Sequence, residues 1–194
     1  NHENPEVFDY LLENTANWVK ELGADGVRLD AVKHISKDFW AKFVPALKEK
    51  VGNPDLFVLG EVLNGDANYV ADYQKAGIDY LFDMPLYFTM RDVFGGGASA
   101  RHLGERLAED SKYSDPNKLV TLVDNHDFPR FLATTKGEGE EKVERLKLAT
   151  AFIMASRGIP SVYYGTEVAL EGGNDPDNRR DMEFDRRPDV KAYF

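Results

Sequence analysis

The segment Gly26–Ile35, with the sequence GVRLDAVKHI, starts as an apolar β-strand and then places two charges close together. Arg28 and Asp30 are two residues apart, so their side chains project from the same face of an extended strand. Desolvating a charge is costly unless the charge is paired, and the run otherwise predicts a buried strand. We therefore interpret the Arg28–Asp30 pair as part of a functional site.

Helix and strand patterns alternate along the rest of the chain. A helix is predicted between the N-cap Asn4 and the stop at Gly23, because apolar residues recur there at spacings of three and four. The aromatic stripes of the helices, which include Trp18 and Trp40, are predicted to be core. Further helices are predicted over residues 39–51, 67–75, 102–110 and 140–156, and strands over 26–29, 56–62, 80–82, 118–127 and 159–165.

Apolar strands that alternate with amphipathic helices predict parallel βα units. Two architectures fit this pattern, an open doubly wound sheet and a (β/α)8 barrel. No glycine-rich phosphate loop follows any predicted strand, which disfavours a nucleotide-binding sheet. Acidic residues instead follow the strands, where barrel enzymes place their chemistry. These residues are Asp30, Glu61, Asp83 and Asp127. The sequence therefore predicts an α/β fold, a partial (β/α)8 TIM barrel with about the last five βα units.

The overall charge limits the classes of partner. The 194 residues include 34 Asp and Glu but 24 Lys and Arg, which gives a net charge of −10. This charge disfavours nucleic acid and an anionic membrane surface as partners and is compatible with a neutral ligand. No cysteine is present, so disulfides and thiolate metal sites are excluded. The cellular compartment stays open between secreted and cytoplasmic.

The strand-end acids predict chemistry at a glycosidic bond. Asp30, Glu61 and Asp127 are expected to meet in one cleft if consecutive strands converge on one mouth. Crowded carboxylates do not all ionise, so one is expected to hold its proton near neutral pH. One ionised carboxylate and one carboxylic acid, about 5–5.5 Å apart, are what a retaining glycosidase requires. Arg28 is expected to keep Asp30 ionised and to orient it.

Three segments, GVRLDAVKHI, LGEV and LVDNHD, resemble in order and spacing three conserved segments of the α-amylase family of glycoside hydrolases. NHENPEV, GIPSVYYGTE and GGNDPDNRRDM resemble further parts of that family, so the resemblance extends over nearly the whole chain. It implies retaining hydrolysis of α-1,4-glucosidic bonds in starch-type glucans. It also implies that residues 1–194 are the C-terminal part of a larger catalytic barrel.

The resemblance implies a role for each motif residue. Asp30 would be the nucleophile and Glu61 the general acid/base, while Asp127 would hold the hydroxyls of the distorted sugar. Arg28 would support Asp30. The other implied substrate-binding residues are Lys33 and His34 on the leaving-group side, His126 beside Asp127, and Asp175 and Arg179 further towards the non-reducing side.

The same resemblance implies a structural calcium ion but no organic cofactor. The backbone carbonyl of His34 is similar in position to a calcium ligand of many family members. The family's first conserved segment, its first three strands, the domain inserted after the third strand and the trailing β-domain are missing from the sequence. We therefore expect this segment to have little activity and to be poorly soluble by itself.

Three alternatives stay open. A transglycosylase or an isomerising enzyme of the same family would share the chemistry up to the covalent intermediate. A non-catalytic homologue would bind glucan or a protein partner, although such relatives typically lack one catalytic acid and all three are present here. A generic parallel α/β binding domain is disfavoured by the ordered motifs.

Overall fold

The computed structural model describes residues 2–194, so Asn1, the first residue of the NHENPEV motif, lies outside the described residues. The chain divides into two compact units. The first comprises the residues up to Phe82 together with Ser111–Lys118. The second comprises Asp83–Asp110 and Leu119–Phe194. Within each unit the strands pair in parallel, as the alternation of helices and strands predicted.

The first unit contains three β-strands and three α-helices that alternate along the chain. Its strands are β1 (Gly26–Leu29), β2 (Phe57–Gly60) and β3 (Tyr80–Phe82), and its helices are α1 (Pro5–Leu22), α2 (Lys37–Val51) and α3 (Ala67–Lys75). In the β1–β2 register Leu29 lies opposite Gly60. A Cβ atom on Gly60 would come within 2.9 Å of the Ile78 side chain, so glycine allows close packing there. This register places the residues that follow β1 and β2 side by side.

Local signals set the ends of the first two helices, and those of α1 were predicted from the sequence. The Asn4 side chain accepts a hydrogen bond from the Glu6 N–H at 2.9 Å, which caps α1. Ser36 caps α2 in the same way through the Phe39 N–H. Gly23 and Gly52 end the two helices with φ of 61° and 78°, a left-handed conformation that favours glycine.

The prediction that both tryptophans are core is half right. Trp40 is 4% exposed, and its indole Nε1 donates to the buried Val32 carbonyl at 3.1 Å. Trp18 is 55% exposed, so its assignment to the core was wrong. Helix α1 buries Val19, the next residue, which lies about 100° further around the helix. The three- and four-residue spacing therefore predicted a wider buried face on α1 than the structure has.

The prediction of strands buried on both faces holds for β4 (Leu119–Leu122) but not for β1. All four residues of β4 are buried. Residues of β1 are half-buried or exposed, because within residues 2–194 this strand has β2 as its partner on one side. Arg28 is therefore less desolvated than its position in an apolar run indicated.

The second unit contains two parallel strands and five helices. These are β4, β5 (Ile159–Ser161), α4 (Met84–Met90), α5 (Arg101–Leu107), α6 (Phe131–Thr134), α7 (Glu140–Ala155) and α8 (Pro188–Lys191). Val120 of β4 lies opposite Ile159 of β5. The inner face of α7, including Leu146 and Ile153, packs into a buried cluster with Leu86 of α4, as its periodicity predicted.

Helix α4 was not predicted from the sequence. The predicted strand over residues 80–82 is confirmed as β3, and the chain turns into α4 immediately after Asp83. The Asp83 carboxylate accepts the Leu86 N–H at 3.0 Å, and Pro85 occupies the first turn. An Asp cap followed by proline is a helix-start signal that the apolar run concealed.

Candidate active site

Two acidic residues leave adjacent parallel strands at the same edge of the first unit. Asp30 follows β1 and Glu61 follows β2. The Glu61 N–H donates to the Leu29 carbonyl at 3.0 Å, and the Glu61 carbonyl accepts from the Val32 N–H at 3.0 Å. These backbone bonds extend the strand pairing past both acids, so their side chains emerge as neighbours.

Arg28 joins the two carboxylates. Its Nη2 atom donates to Oε2 of Glu61 at 2.9 Å, and its Nη1 atom donates to Oδ1 of Asp30. The Asp30 side chain is 71% exposed, whereas that of Glu61 is 9% exposed. Two carboxyl groups held by one guanidinium in such different environments are suited to different chemical roles. The structure thus brings together three of the residues that the sequence singled out.

A strained turn after Asp30 was not predicted from the sequence. Ala31 has φ 48° and ψ 39°, a left-handed conformation that is unfavourable for a residue with a Cβ atom. This turn directs the Ala31 N–H towards Oε2 of Glu61, at 3.4 Å. Strain of this kind is often retained at functional sites because the surrounding structure enforces it. Nothing in the residue type of Ala31 signals this conformation.

Lys33 and His34 lie in the short helical turn Val32–His34 that follows. The Lys33 Nζ atom donates to the Leu63 carbonyl at 3.0 Å, so this lysine is tied to the segment that follows Glu61. The Tyr73 hydroxyl donates to the Lys33 carbonyl at 3.4 Å. Burial raises the pKa of Tyr73, which keeps this hydroxyl protonated as a donor. The His34 side chain is exposed.

Four other predicted residues meet in the second unit. Arg179 lies at the centre, with Nε 3.0 Å from Asp175 Oδ1 and Nη2 3.5 Å from Asp127 Oδ1. The His126 Nε2 atom lies 3.3 Å from Oδ2 of Asp127. Asp127 is placed in the loop beyond β4, which ends at Leu122, rather than at the end of the strand itself. The structure therefore groups His126, Asp127, Asp175 and Arg179 as one polar cluster.

Asp124, in the same LVDNHD motif, was overlooked. Its carboxylate is fully enclosed and accepts from the Phe131 N–H at 3.1 Å and from the Thr166 hydroxyl at 2.8 Å. Burial raises the pKa of Asp124 above its ordinary value. The motif contains two aspartates, but only the tertiary structure distinguishes the buried one from the exposed Asp127.

Asp83 belongs to neither cluster of predicted site residues and instead forms a buried ion pair. Its buried carboxylate lies 2.6 Å from Nη1 of Arg157, whose other terminal nitrogen lies 2.5 Å from Asp110. Burial raises the pKa of Asp83, while the adjacent Arg157 opposes that shift. The sequence correctly placed an acid after β3, and packing explains it as a paired core charge.

Residues 2–194 contain no group of three or more His, Asp or Glu side chains arranged to hold a metal ion. The predicted calcium ligand, the His34 carbonyl, therefore has no supporting carboxylate cluster within this part of the chain. No helix in the same range is long and apolar enough to cross a bilayer.

Parallel βα units that carry paired carboxylates at the ends of their strands are typical of α/β-barrel enzymes, and this chain has that arrangement. Residues 1–190 match the family described as "Alpha amylase, catalytic domain". The chain therefore belongs to the alpha-amylase family, as its motifs predicted, and the predicted partial barrel is confirmed by the structural relatives.

Three relatives illustrate the match. The chain is 40% identical to a "Beta/alpha-amylase" of Paenibacillus polymyxa, over 100% of this chain and 16% of the relative. An Anoxybacillus alpha-amylase structure superposes with a TM-score of 0.92 at 40% identity, over 100% of this chain and 43% of that chain. An alpha-amylase of Geobacillus thermoleovorans, solved with acarbose, matches with a TM-score of 0.89 at 39% identity, over 100% and 43% of the two chains. The chain thus spans less than half the length of these relatives.

Proposed function

We propose that the protein to which this chain belongs cleaves α-1,4-glucosidic bonds of starch-type glucans with retention of configuration. The observation that carries the proposal is the Arg28 guanidinium, which binds Asp30 and Glu61 at the same time. One planar fork keeps its two acceptors close together. This closeness is compatible with a retaining reaction, which needs carboxyl groups ~5–5.5 Å apart.

Asp30 is proposed as the nucleophile and Glu61 as the general acid. A carboxylate oxygen of Asp30 attacks the anomeric carbon, and the bond from that carbon to the leaving oxygen breaks. Glu61 donates its proton to the leaving oxygen. The exposure of Asp30 and the enclosure of Glu61 support this division, because two carboxyl groups in different environments can take different roles in one reaction.

The second half of the reaction reverses the roles. Water attacks the anomeric carbon, its proton passes to the Glu61 carboxylate, and the ester bond to Asp30 breaks. Arg28 compensates the charge that returns to Asp30. The enzyme then recovers its starting protonation state, and the product has the anomeric configuration of the substrate.

The remaining motif residues are proposed to bind the sugar chain. Asp127 and His126 would hold hydroxyls of the reacting ring, and Asp175 with Arg179 would bind sugars further towards the non-reducing end. Lys33 and His34 would bind on the leaving-group side. A neutral α-glucan fits the acidic chain, and the relative solved with acarbose supports this class of ligand.

Replacement of each carboxylate in the full-length protein tests the assignment. Asp30→Asn and Glu61→Gln are expected to lower turnover of maltoheptaose at least a thousandfold. The exposed Asp25→Asn and Glu49→Gln are matched controls that should retain turnover. With an activated α-glucosyl fluoride as substrate, azide should give the α-glucosyl azide with Glu61→Ala, because it attacks the covalent intermediate, but the inverted β-glucosyl azide with Asp30→Ala, because it replaces the missing nucleophile. Near-normal turnover by Asp30→Asn would refute the nucleophile assignment.

A trapping experiment tests the covalent step directly. A 5-fluoro-α-glucosyl fluoride should label the full-length protein, and mass spectrometry of its peptides should locate the label on Asp30. A label on Glu61 would exchange the two proposed roles. Absence of turnover and label with retained maltoheptaose binding would favour the non-catalytic homologue.

Products from maltoheptaose separate hydrolysis from transfer. Shorter sugars alone indicate that water is the acceptor, whereas longer or rearranged sugars indicate that a second sugar replaces water at the covalent intermediate. The carboxylate chemistry is identical in both cases, so the acceptor is the part of the proposal that this measurement decides.

Calcium bound by the His34 carbonyl stays a prediction. Metal analysis of the dialysed full-length protein, with and without chelator, tests it. One calcium ion per chain that chelator removes would support it, whereas a metal-free protein with unchanged thermal stability would contradict it. No step proposed above uses a metal ion.

A further inference from the structure

We propose that Arg130 is a positioning residue that holds the loop carrying Asp175 and Arg179 against the loop carrying Asp127. The inference rests on the proposed function, because it assigns Arg130 a part in binding long glucans. Arg130 lies at the end of the Asp127 loop, immediately before α6, and is 0% exposed. No sequence motif quoted above includes it.

The ion pairs of the polar cluster are too weak to hold these loops by themselves. Asp127, Asp175 and Arg179 are all exposed to solvent. Exposed pairs of this kind contribute little because water screens them and ordering the side chains opposes them. Arg179 Nε also donates to the His126 carbonyl at 3.1 Å, but this bond is exposed to water as well, so the buried groups beneath the cluster are needed to hold the two loops together.

Arg130 supplies the buried connection between the two loops. Its backbone N–H donates to the Gly172 carbonyl at 3.0 Å, and its Nε donates to the Asn178 carbonyl at 2.8 Å. Asn178 in turn bonds to the Asp127 loop, because its Nδ2 donates to the carbonyls of His126 at 2.7 Å and Phe128 at 2.9 Å. The loop that carries Asp175 and Arg179 is thus bonded to the loop that carries Asp127 at Gly172, before Asp175, and at Asn178, next to Arg179.

The same guanidinium also fixes the segment that follows β5. Its Nη1 donates to the Tyr164 carbonyl at 2.5 Å. The Tyr163 and Tyr164 rings lie 4.0 Å and 4.8 Å from its central carbon, within the range of cation–π attraction. One side chain therefore connects three loops that follow two parallel strands.

The partners of Arg130 explain why arginine is needed. Among residues 2–194 it forms no direct ion pair, although the buried Asp124 carboxylate interacts with it electrostatically. Its hydrogen bonds go to carbonyl oxygens and its guanidinium lies against two ring faces. A buried charge without a directly bonded carboxylate is costly, so these contacts set the position of the guanidinium. A lysine ammonium would keep the charge but would lack the planar fork that reaches two carbonyls and stacks on a ring.

The Arg130→Lys variant of the full-length protein tests this role by comparing a long and a short substrate. We expect kcat/KM for maltoheptaose to fall at least tenfold, mainly through KM, because the loop with Asp175 and Arg179 is displaced. With α-glucosyl fluoride, which occupies one sugar position, we expect a change of less than threefold. Arg145→Lys is the matched control, since Arg145 also donates to a carbonyl, that of Phe94 at 3.1 Å, away from these loops.

Equal losses on both substrates would overturn the proposal, since they would indicate a general structural role. Unchanged kinetics would overturn it as well. If Arg130→Lys does not fold, Tyr163→Leu removes one ring face while Tyr163→Phe retains it. We then expect kcat/KM for maltoheptaose to fall at least threefold in Tyr163→Leu but not in Tyr163→Phe, with no such fall for α-glucosyl fluoride. An equal fall in both variants would refute the proposal.

Failure of the proposed function would be distinguishable from failure of this inference. If the wild-type protein hydrolysed neither substrate, the proposed function would fail. The positioning role would then be measured by calorimetric titration with maltoheptaose. A tenfold weaker Kd for Arg130→Lys, with an unchanged Kd for Arg145→Lys, would support it, and equal Kd values would overturn it.

Discussion

Arg28 and Glu61, which are 33 residues apart in the sequence, are joined by a hydrogen bond of 2.9 Å from Nη2 to Oε2. The same guanidinium binds Asp30 through Nη1. This arrangement follows from the parallel register of β1 and β2, which places Leu29 opposite Gly60 and therefore Asp30 beside Glu61. Arg28 thereby couples the positions of the two carboxylates proposed to carry the chemistry.

The Arg28→Lys variant of the full-length protein should lower kcat/KM about a hundredfold. A lysine ammonium is a compact point charge and does not reproduce two parallel bonds to separate carboxylates. Steady-state kinetics with maltoheptaose measure the effect. Arg101→Lys is the control, since Arg101 pairs with Glu105 on an exposed helix surface, and it should change kcat/KM less than twofold. Equal activity of Arg28→Lys and wild type would show that a charge alone suffices.

Substitutions of the two aspartates of LVDNHD should have different effects, one mainly on turnover and the other mainly on stability. Asp127→Asn should lower turnover at least a hundredfold with little change in thermal midpoint, because its side chain is exposed. Asp124→Leu should lower the free energy of unfolding by about 2–3 kcal/mol, because it leaves the buried Phe131 N–H and Thr166 hydroxyl without an acceptor. Calorimetry and kinetics on the same preparations measure both quantities. A large loss of stability in Asp127→Asn would contradict the distinction.

Removing Arg157 should make stability depend on pH. Burial raises the pKa of Asp83, and Arg157 opposes this shift, so Arg157→Met should raise the pKa of Asp83 further. A carboxyl whose folded pKa exceeds its ordinary value of 3.8 binds more protons in the folded state. The contribution of Asp83 to stability should therefore be largest below pH 3.8 and should be lost as the pH rises through the folded pKa.

The expected loss in Arg157→Met near pH 7 is about 3–5 kcal/mol, the usual penalty for an uncompensated buried charge. Thermal midpoints of the full-length protein between pH 4 and 7, read against wild type, measure the trend. Adding Asp83→Asn to the variant should remove the pH dependence. A loss independent of pH in the single variant would assign the effect to packing instead.

The left-handed turn at Ala31 should tolerate glycine better than a helix does. A left-handed conformation costs a residue with a Cβ atom roughly 1–2 kcal/mol, whereas glycine adds about 0.4–1 kcal/mol of unfolded-state entropy. Ala31→Gly should therefore be neutral or stabilising by up to about 1 kcal/mol. Ala41→Gly, on the exposed side of α2, should lower the free energy of unfolding by about 1 kcal/mol. Denaturant unfolding compares the pair, and equal losses would show that Ala31 is unstrained.

Much of the fold could be predicted from short-range signals in the sequence. The cap at Asn4 and the stop at Gly23 set the ends of α1 as predicted, because these signals act within a few residues. Ser36 and Gly52 set the ends of α2 in the same way, although they were not singled out in the sequence. The prediction was less successful where neighbours in space decide the outcome. The exposure of β1 depends on which strands flank it. The helix after Asp83 was missed for a different reason, because its local start signal lies in an apolar run.

The sequence by itself determined the parallel βα pattern, the family motifs and the acids that follow β1, β2 and β3. Tertiary structure decided which of those acids share a partner: Glu61 shares Arg28 with Asp30, whereas Asp83 is enclosed with Arg157. It also decided that Arg130, outside every motif, connects three loops. The physical reason is that strand and helix patterns are short-range, while burial and the sharing of one guanidinium depend on residues brought together from distant parts of the chain.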